Sequence, residues 1–167
     1  ADKRIGPSFL FPGVGYGGSC FPKDVKAMLR FASVADYDFQ ILRAVESVNE
    51  RQKLRLVTKL TARFGTLKKK KVAVWGLAFK PRTDDMREAP SLPLIEALLK
   101  AGAVVHAYDP EAMKVARGIF GSRIGYASNG YGALDKADAL VIVTEWNEFR
   151  EPDFGRMRKL MKNPTIF

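Results

Sequence analysis

The chain has 167 residues, of which 28 are lysine or arginine, 18 are aspartate or glutamate, and 47% are hydrophobic. That composition is globular and large enough for a buried core, and it excludes a bilayer span because no apolar run is long enough. A formal net charge of +10 favours anionic partners, and the single cysteine excludes an internal disulfide, which points to a reducing, cytoplasmic setting.

In chain order, the opening ADKRIGPSFLFPG has no apolar segment of signal-peptide length, so no secretory leader is expected. Residues 1–21 are rich in glycine and proline and read as loop and turn. From Pro22 to about Ala35, apolar residues at Val25, Met28, Leu29 and Ala32 recur with helical spacing. A second helical stretch spans Phe39 to Phe64, with Ile41, Leu42, Val45, Val48, Leu56, Val57 and Leu60 apolar, a break near Asn49 allowed and Gly65 suited to its end. The lysine run Lys68–Lys71 reads as a solvated turn in preference to a nucleic-acid patch.

Beyond it the pattern alternates. VAVWGLAF is a strand, SLPLIEALLKAG a helix, VVHAYDP a strand and PEAMKVARGIFG a helix. RIGYA reads as a short strand, ADALVIVTEW as a strand, DFGRMRKLMK as a helix and TIF as the start of another strand. Strands alternating with helices of this length imply βαβ units and a parallel sheet, hence an α/β, Rossmann-like layer preceded by a loop and helices. The expected division is 1–66 for the loop and helical segment and 67–167 for the sheet domain.

The stretch GVGYGGSCFPKD matches G-x-G-x-x-G at Gly13, Gly15 and Gly18. A dinucleotide fingerprint needs a strand before it and a helix opening on its last glycine. Pro12 precedes Gly13, so the spacing is not read as a cofactor loop. The first strand of the sheet domain has Gly76 alone where three glycines would be wanted. The loop instead sets Cys20 at the N-terminal edge of a helix, with Pro22 suited to the first helical position and Lys23 one turn along. Both features favour a reactive thiol. On spacing alone, a reactive and a buried, inert cysteine stand equally. Asp109 reads as a turn residue before Pro110, and His106, the only histidine, as structural.

Two long stretches, FLFPGVGYGGSCFPKDVKAML and GLAFKPRTDDMREAPSLPLIEALLKAGAVVHAYDP, closely resemble the active-site segment and the C-terminal domain of the UDP-glucose 6-dehydrogenase family. The resemblance covers essentially the whole chain and implies a C-terminal part, with an NAD-binding Rossmann domain belonging upstream. It implies NAD as cofactor and UDP-glucose as substrate, oxidised in two hydride transfers through a thiohemiacetal and a thioester on Cys20. Asp24 matches the aspartate that positions the hydrolytic water, and Lys23 a lysine near the cofactor. Phe9, Leu10, Phe11, Pro12, Gly13 and Gly17 match the loop that wraps the nucleotide sugar. Phe79 and Lys80 match the substrate-holding pair at the end of the first strand. Arg87 matches an arginine that reaches the cofactor, its alternative being a solvated partner for Asp84, Asp85 or Glu88. The resemblance further implies a homodimer, with neither nucleic acid nor membrane as partner. Two alternatives remain open: a dehydrogenase of GDP-mannose or a UDP-N-acetylhexosamine, and a basic nucleic-acid-binding module.

Overall fold

The computed structural model describes Gly6 and residues 13–167. Three helices come first: α1 (Phe21–Val34), α2 (Gln40–Lys53) and α3 (Arg55–Phe64). The rest alternates as β1 (Lys71–Trp75), α4 (Ser91–Lys100), β2 (Val104–Tyr108), α5 (Met113–Phe120), β3 (Gly125–Tyr126), α6 (Gly130–Ala133), β4 (Ala139–Ile142) and α7 (Phe154–Leu160). The sheet is wholly parallel in the order β3-β2-β1-β4, so the chain reverses direction across the sheet between β1 and β4. It is the Rossmann-like layer that the alternation predicts. Thr165–Phe167 run alongside β4, with the Leu140 amide donating to the Thr165 carbonyl and the Ile142 amide to that of Phe167, each at 2.9 Å.

Alternation along β1 sorts two cores. Val72 and Val74 pack with Leu94, Ile95 and Leu98 of α4, Phe120 of α5, and Leu56 and Leu60 of α3. Ala73 and Trp75 face the opposite side, against Leu134, Leu140, Phe149 and Met157. There the Trp75 ring stacks on Phe149 with centroids 4.9 Å apart, and its Nε1 donates to the Gly130 carbonyl at 2.8 Å. His106, on β2, has Gly125 packed against its ring, and burial, helped by Lys71, lowers its pKa.

The helical stretch expected from Phe39 to Phe64 is divided at Leu54, not near Asn49. Leu54 turns its amide to the Arg51 and Gln52 carbonyls, a tighter link, while Asn49 stays in regular helix with its side chain bonded elsewhere. α1 begins at Phe21 with Cys20 at its N-cap, one residue earlier than Pro22 suggests.

The first strand ends at Trp75, four residues short of the apolar run, for a definite reason. Gly76 turns at φ +90, and a Cβ there would lie 2.5 Å from Thr144, so no other residue fits. The next amides are then taken by one carboxylate. Asp109 Oδ2 accepts from the Leu77 amide at 2.6 Å, the Ala78 amide at 3.2 Å and Trp146 Nε1 at 3.3 Å. Its Oδ1 accepts from the Glu111 and Ala112 amides at 2.9 and 2.8 Å. Asp109 makes the turn its sequence context predicts, and it is also a buried tie between the loops after β1, β2 and β4. Asp109→Ala should cost about 3 kcal/mol or more, since each buried amide left without a partner costs roughly 1–3 kcal/mol. A fall in Tm on the order of 8 °C in thermal unfolding is the expected result, and a fall below about 2 °C would contradict it.

Candidate active site

The carboxyl edge of the sheet is where an α/β layer opens a crevice, at the point where strand order reverses. Here that point lies between β1 and β4, and the chain's own atoms fill it. Thr144 packs on Gly76 and donates its Oγ1 proton to the Ala78 carbonyl at 2.6 Å. The Leu77 and Ala78 amides, which a phosphate would otherwise use, are taken by Asp109. From this edge the segment 76–90 loops outward, carrying Phe79, Lys80, Asp85, Arg87 and Glu88.

The cysteine loop docks onto that segment. The Gly18 amide donates to the Arg87 carbonyl at 2.8 Å. A Cβ on Gly18 would meet the Phe79 ring at 2.8 Å, and one on Gly17 would collide with the Glu88 carbonyl oxygen. From the other side α2 grips the loop. Asn49 Oδ1 accepts from the Tyr16 amide at 2.8 Å and its Nδ2 donates to the Tyr16 carbonyl at 3.2 Å, while Gln52 Nε2 donates to the Gly13 carbonyl at 2.8 Å. The close approach of Gly15 (φ +113) to Asn49 Oδ1, 2.9 Å from where its Cβ would be, also demands glycine. The G-x-G-x-x-G spacing is thus consumed by packing within the chain, except at Gly13, where a Cβ meets open space.

Cys20 is exposed and not buried. It stands at the N-cap position of α1 without a side-chain bond to the helix, and Ser19 Oγ lies 3.6 Å from its Sγ. Asp24 sits one turn along on the same helix face, its amide bonded to the Cys20 carbonyl at 2.9 Å, and Lys23 Nζ lies 3.5 Å from Asp24 Oδ1. Lys80 is exposed with its ammonium 5.2 Å from the Phe79 ring centroid. Arg87 forks onto Asp85, Nε to Oδ1 at 3.0 Å and Nη2 to Oδ2 at 2.8 Å, so the ion pair weighed as its alternative is the one formed. That hydrogen bond holds the Asp85 carboxyl below its usual range. Gly17 and Gly18 thus meet Phe79, Arg87 and Glu88, while Cys20, Lys23 and Asp24 lie together at the start of α1. Phe9, Leu10, Phe11 and Pro12 lie outside the described residues.

The helix contacts were not legible as motifs, although one signal pointed to them. Leu42, Val45, Asn49, Lys53, Leu56 and Leu60 follow helical spacing, and Asn49, Lys53, Leu56 and Leu60 are buried. Two polar residues inside an apolar stripe mark a face that must find hydrogen-bonding partners.

Tyr16 shows the electrostatics of this grip. Its hydroxyl donates to Glu46 Oε2 at 3.0 Å. Burial first, then Glu46, pushes the phenol up to about 12. A raised folded pKa stabilises the chain fully below the free value of about 10, and that contribution fades as pH rises toward 12. In an ultraviolet phenolate titration Tyr16 should ionise last, near the top of this window. Glu46→Gln should lower its midpoint only part of the way back, since burial remains. A midpoint unchanged by the substitution would contradict the assignment.

An α/β layer of Rossmann type, with an exposed thiol docked at its carboxyl edge, defines the class. Comparison with known proteins gives the family. The model described as the UDP-glucose/GDP-mannose dehydrogenase family, UDP binding domain, matches residues 73–167, and that of the same family's central domain matches residues 1–51. The UDP-glucose 6-dehydrogenase of Pseudomonas aeruginosa is 51% identical over 99% of this chain and 38% of its own length. That of Rhizobium meliloti is 45% identical over 99% of this chain and 38% of its own length. Among solved structures, a UDP-glucose dehydrogenase from Pyrobaculum islandicum superposes with a TM-score of 0.86 at 36% identity, covering 98% of this chain and 40% of that one. The chain belongs to the UDP-glucose/GDP-mannose dehydrogenase family, and it spans about 38% of the length of these curated relatives.

Proposed function

We propose that this chain is the thiol-bearing and nucleotide-sugar-binding part of an NAD-dependent UDP-glucose 6-dehydrogenase, with residues 1–66 carrying the thiol and 67–167 the substrate nucleotide. One observation carries the reading: the cysteine loop is seated on Phe79, Arg87 and Glu88, so the segment that bears Cys20 is packed against the segment that leaves the carboxyl end of β1. The identities of 51% and 36% to UDP-glucose enzymes, against 26% to a solved GDP-mannose dehydrogenase of similar coverage, favour UDP-glucose.

In this mechanism the Cys20 thiolate adds to the aldehyde carbon at the sugar's C6, forming a C–S bond and a thiohemiacetal. Covalent attachment holds the carbon for its second oxidation, which leaves a thioester. Water then cleaves the C–S bond, giving the carboxylate and returning the thiol, with Asp24 one helical turn away to orient that water. The dinucleotide supplies the hydride sink for both oxidations and belongs to residues outside those described. Lys23 and Arg87, which pair with Asp24 and Asp85 in this chain, would add cationic groups to its binding. Lys80 holds the diphosphate end of the substrate, and the Phe79 ring lies between the Lys80 ammonium and Gly18 of the cysteine loop as a shared contact. A homodimer and a cytoplasmic setting are part of the same reading.

The test has two arms. The 167-residue chain should bind UDP or UDP-glucose in calorimetry, more tightly than GDP-mannose, and Lys80→Ala should weaken that binding by about 1.5–3 kcal/mol. The chain joined to the family's cofactor domain should form NADH from UDP-glucose. Cys20→Ser should lower that turnover at least a thousandfold while leaving UDP-glucose binding within about threefold, since a nucleophile acts on the chemical step. Retained turnover in Cys20→Ser would exclude the covalent route, and UDP binding unaltered by Lys80→Ala would remove Lys80 from the substrate.

A further inference from the structure

The cysteine loop is not held by its own contacts alone. Glu88 stands where three elements meet, and each part of it is engaged. Its backbone lies at φ 53, a left-handed conformation that a glutamate adopts only when its surroundings impose it. Its carbonyl oxygen abuts Gly17, and the carbonyl just before it accepts from the Gly18 amide. Its carboxylate takes Lys26 Nζ of α1 at 2.7 Å on Oε1, and Lys53 Nζ of α2 lies 3.8 Å from Oε2. Lys53 is only 4% exposed, its ammonium also bonded to Glu50 at 2.7 Å. Lys26 in turn lies 4.0 Å from Glu46, the carboxylate that accepts from Tyr16. The Lys26 hydrogen bond holds the Glu88 carboxyl below its usual range, and the same bond raises the Lys26 pKa.

We infer that Glu88 is a positioning residue: its carboxylate clamps α1 and α2 to the 85–89 loop and thereby fixes the cysteine loop in register with the carboxyl edge of the sheet. The inference rests on the reading of Cys20 as the nucleophile only for its catalytic consequence. The brace itself is a matter of geometry. An isolated solvated ion pair would contribute little, but Glu88 joins cations of two helices; without it Lys53 keeps Glu50, while Lys26 loses its 2.7 Å bond and both helices lose their charged link to the 85–89 loop. Glu88 touches neither the reacting carbon nor the thiol. Its effect on the reaction comes from holding the thiol at the attacking distance, where small displacements are costly.

The experiment compares Glu88→Gln and Lys26→Met with the unaltered 167-residue chain by amide hydrogen exchange. Lys26 is half-exposed, so its replacement removes the 2.7 Å bond without disturbing the core. Exchange at Gly18 and Tyr16 should rise at least tenfold in Glu88→Gln and severalfold in Lys26→Met, while Leu77 and Ala78, held by Asp109, stay within twofold. In the chain joined to the cofactor domain, Glu88→Gln should lower kcat about tenfold or more with KM for UDP-glucose within threefold. Exchange at Gly18 and Tyr16 unchanged in both variants would overturn the brace. Equal acceleration at Leu77 and Ala78 would overturn it too, because that pattern is general destabilisation. The exchange arm needs no substrate, so it decides the brace even if the dehydrogenase reading fails, which an inactive unaltered enzyme would show separately.

Discussion

The Asp109 carboxylate is the constraint on which the carboxyl edge depends. Four backbone amides and one indole N–H converge on its two oxygens, from the segments following β1, β2 and β4. Paired amides at the end of a first β-strand are a natural anion site, and here the anion is built into the chain. The consequence is structural. With Leu77 and Ala78 withdrawn from the ladder, the strand stops at Trp75 and the following segment runs outward instead of turning directly into a helix. The same closure explains why a sheet of this type offers no pyrophosphate cradle at its switch point and presents Phe79 and Lys80 beyond it.

The extended segment becomes the seat of the cysteine loop. Gly17 and Gly18 allow main chain to lie against the Glu88 carbonyl and the Phe79 ring, at distances that a side chain would forbid. Asn49 matches the donor and acceptor of Tyr16 like a short piece of ladder. Between these two surfaces the loop has no freedom to change register without breaking polar contacts. A docked loop of this kind differs from a flexible glycine-rich one, because its glycines serve contact and not mobility. The thiol then lies at the end of α1, whose orientation is set by packing and by the Lys26–Glu88 pair.

Among the described residues, no helix is long and apolar enough to cross a membrane. Much of the excess positive charge lies on exposed helix faces and in the lysine run. Within that run Lys69 adopts a turn conformation, Lys70 pairs with Asp138 at 3.3 Å, and Lys71 opens β1. Burial pushes the Asp138 carboxyl up, but the Lys71 amide and the Lys70 ammonium outweigh it and hold the group below its usual value. The run is thus built into the entrance of the central strand.

The sequence by itself determined the order and type of nearly all the elements, because apolar periodicity survives wherever one face is buried. β1 is the other case: buried on both faces, Val72, Ala73, Val74 and Trp75 read as one continuous apolar run, and the family resemblance rested on unbroken stretches around Cys20 and Phe79. It also held the clue in Asn49 and Lys53, two polar residues in line with Leu56 and Leu60. Only the tertiary structure decided what those residues meet. Asn49 faces Tyr16 across 33 positions, Asp109 reaches Leu77 across 32, and Lys26 reaches Glu88 across 62. Local sequence specifies backbone conformation through neighbouring side chains, but the partner of a buried polar group is chosen by where the fold brings distant segments together. For that reason the glycines near Cys20 matched a cofactor spacing and yet serve to seat the loop on the protein itself.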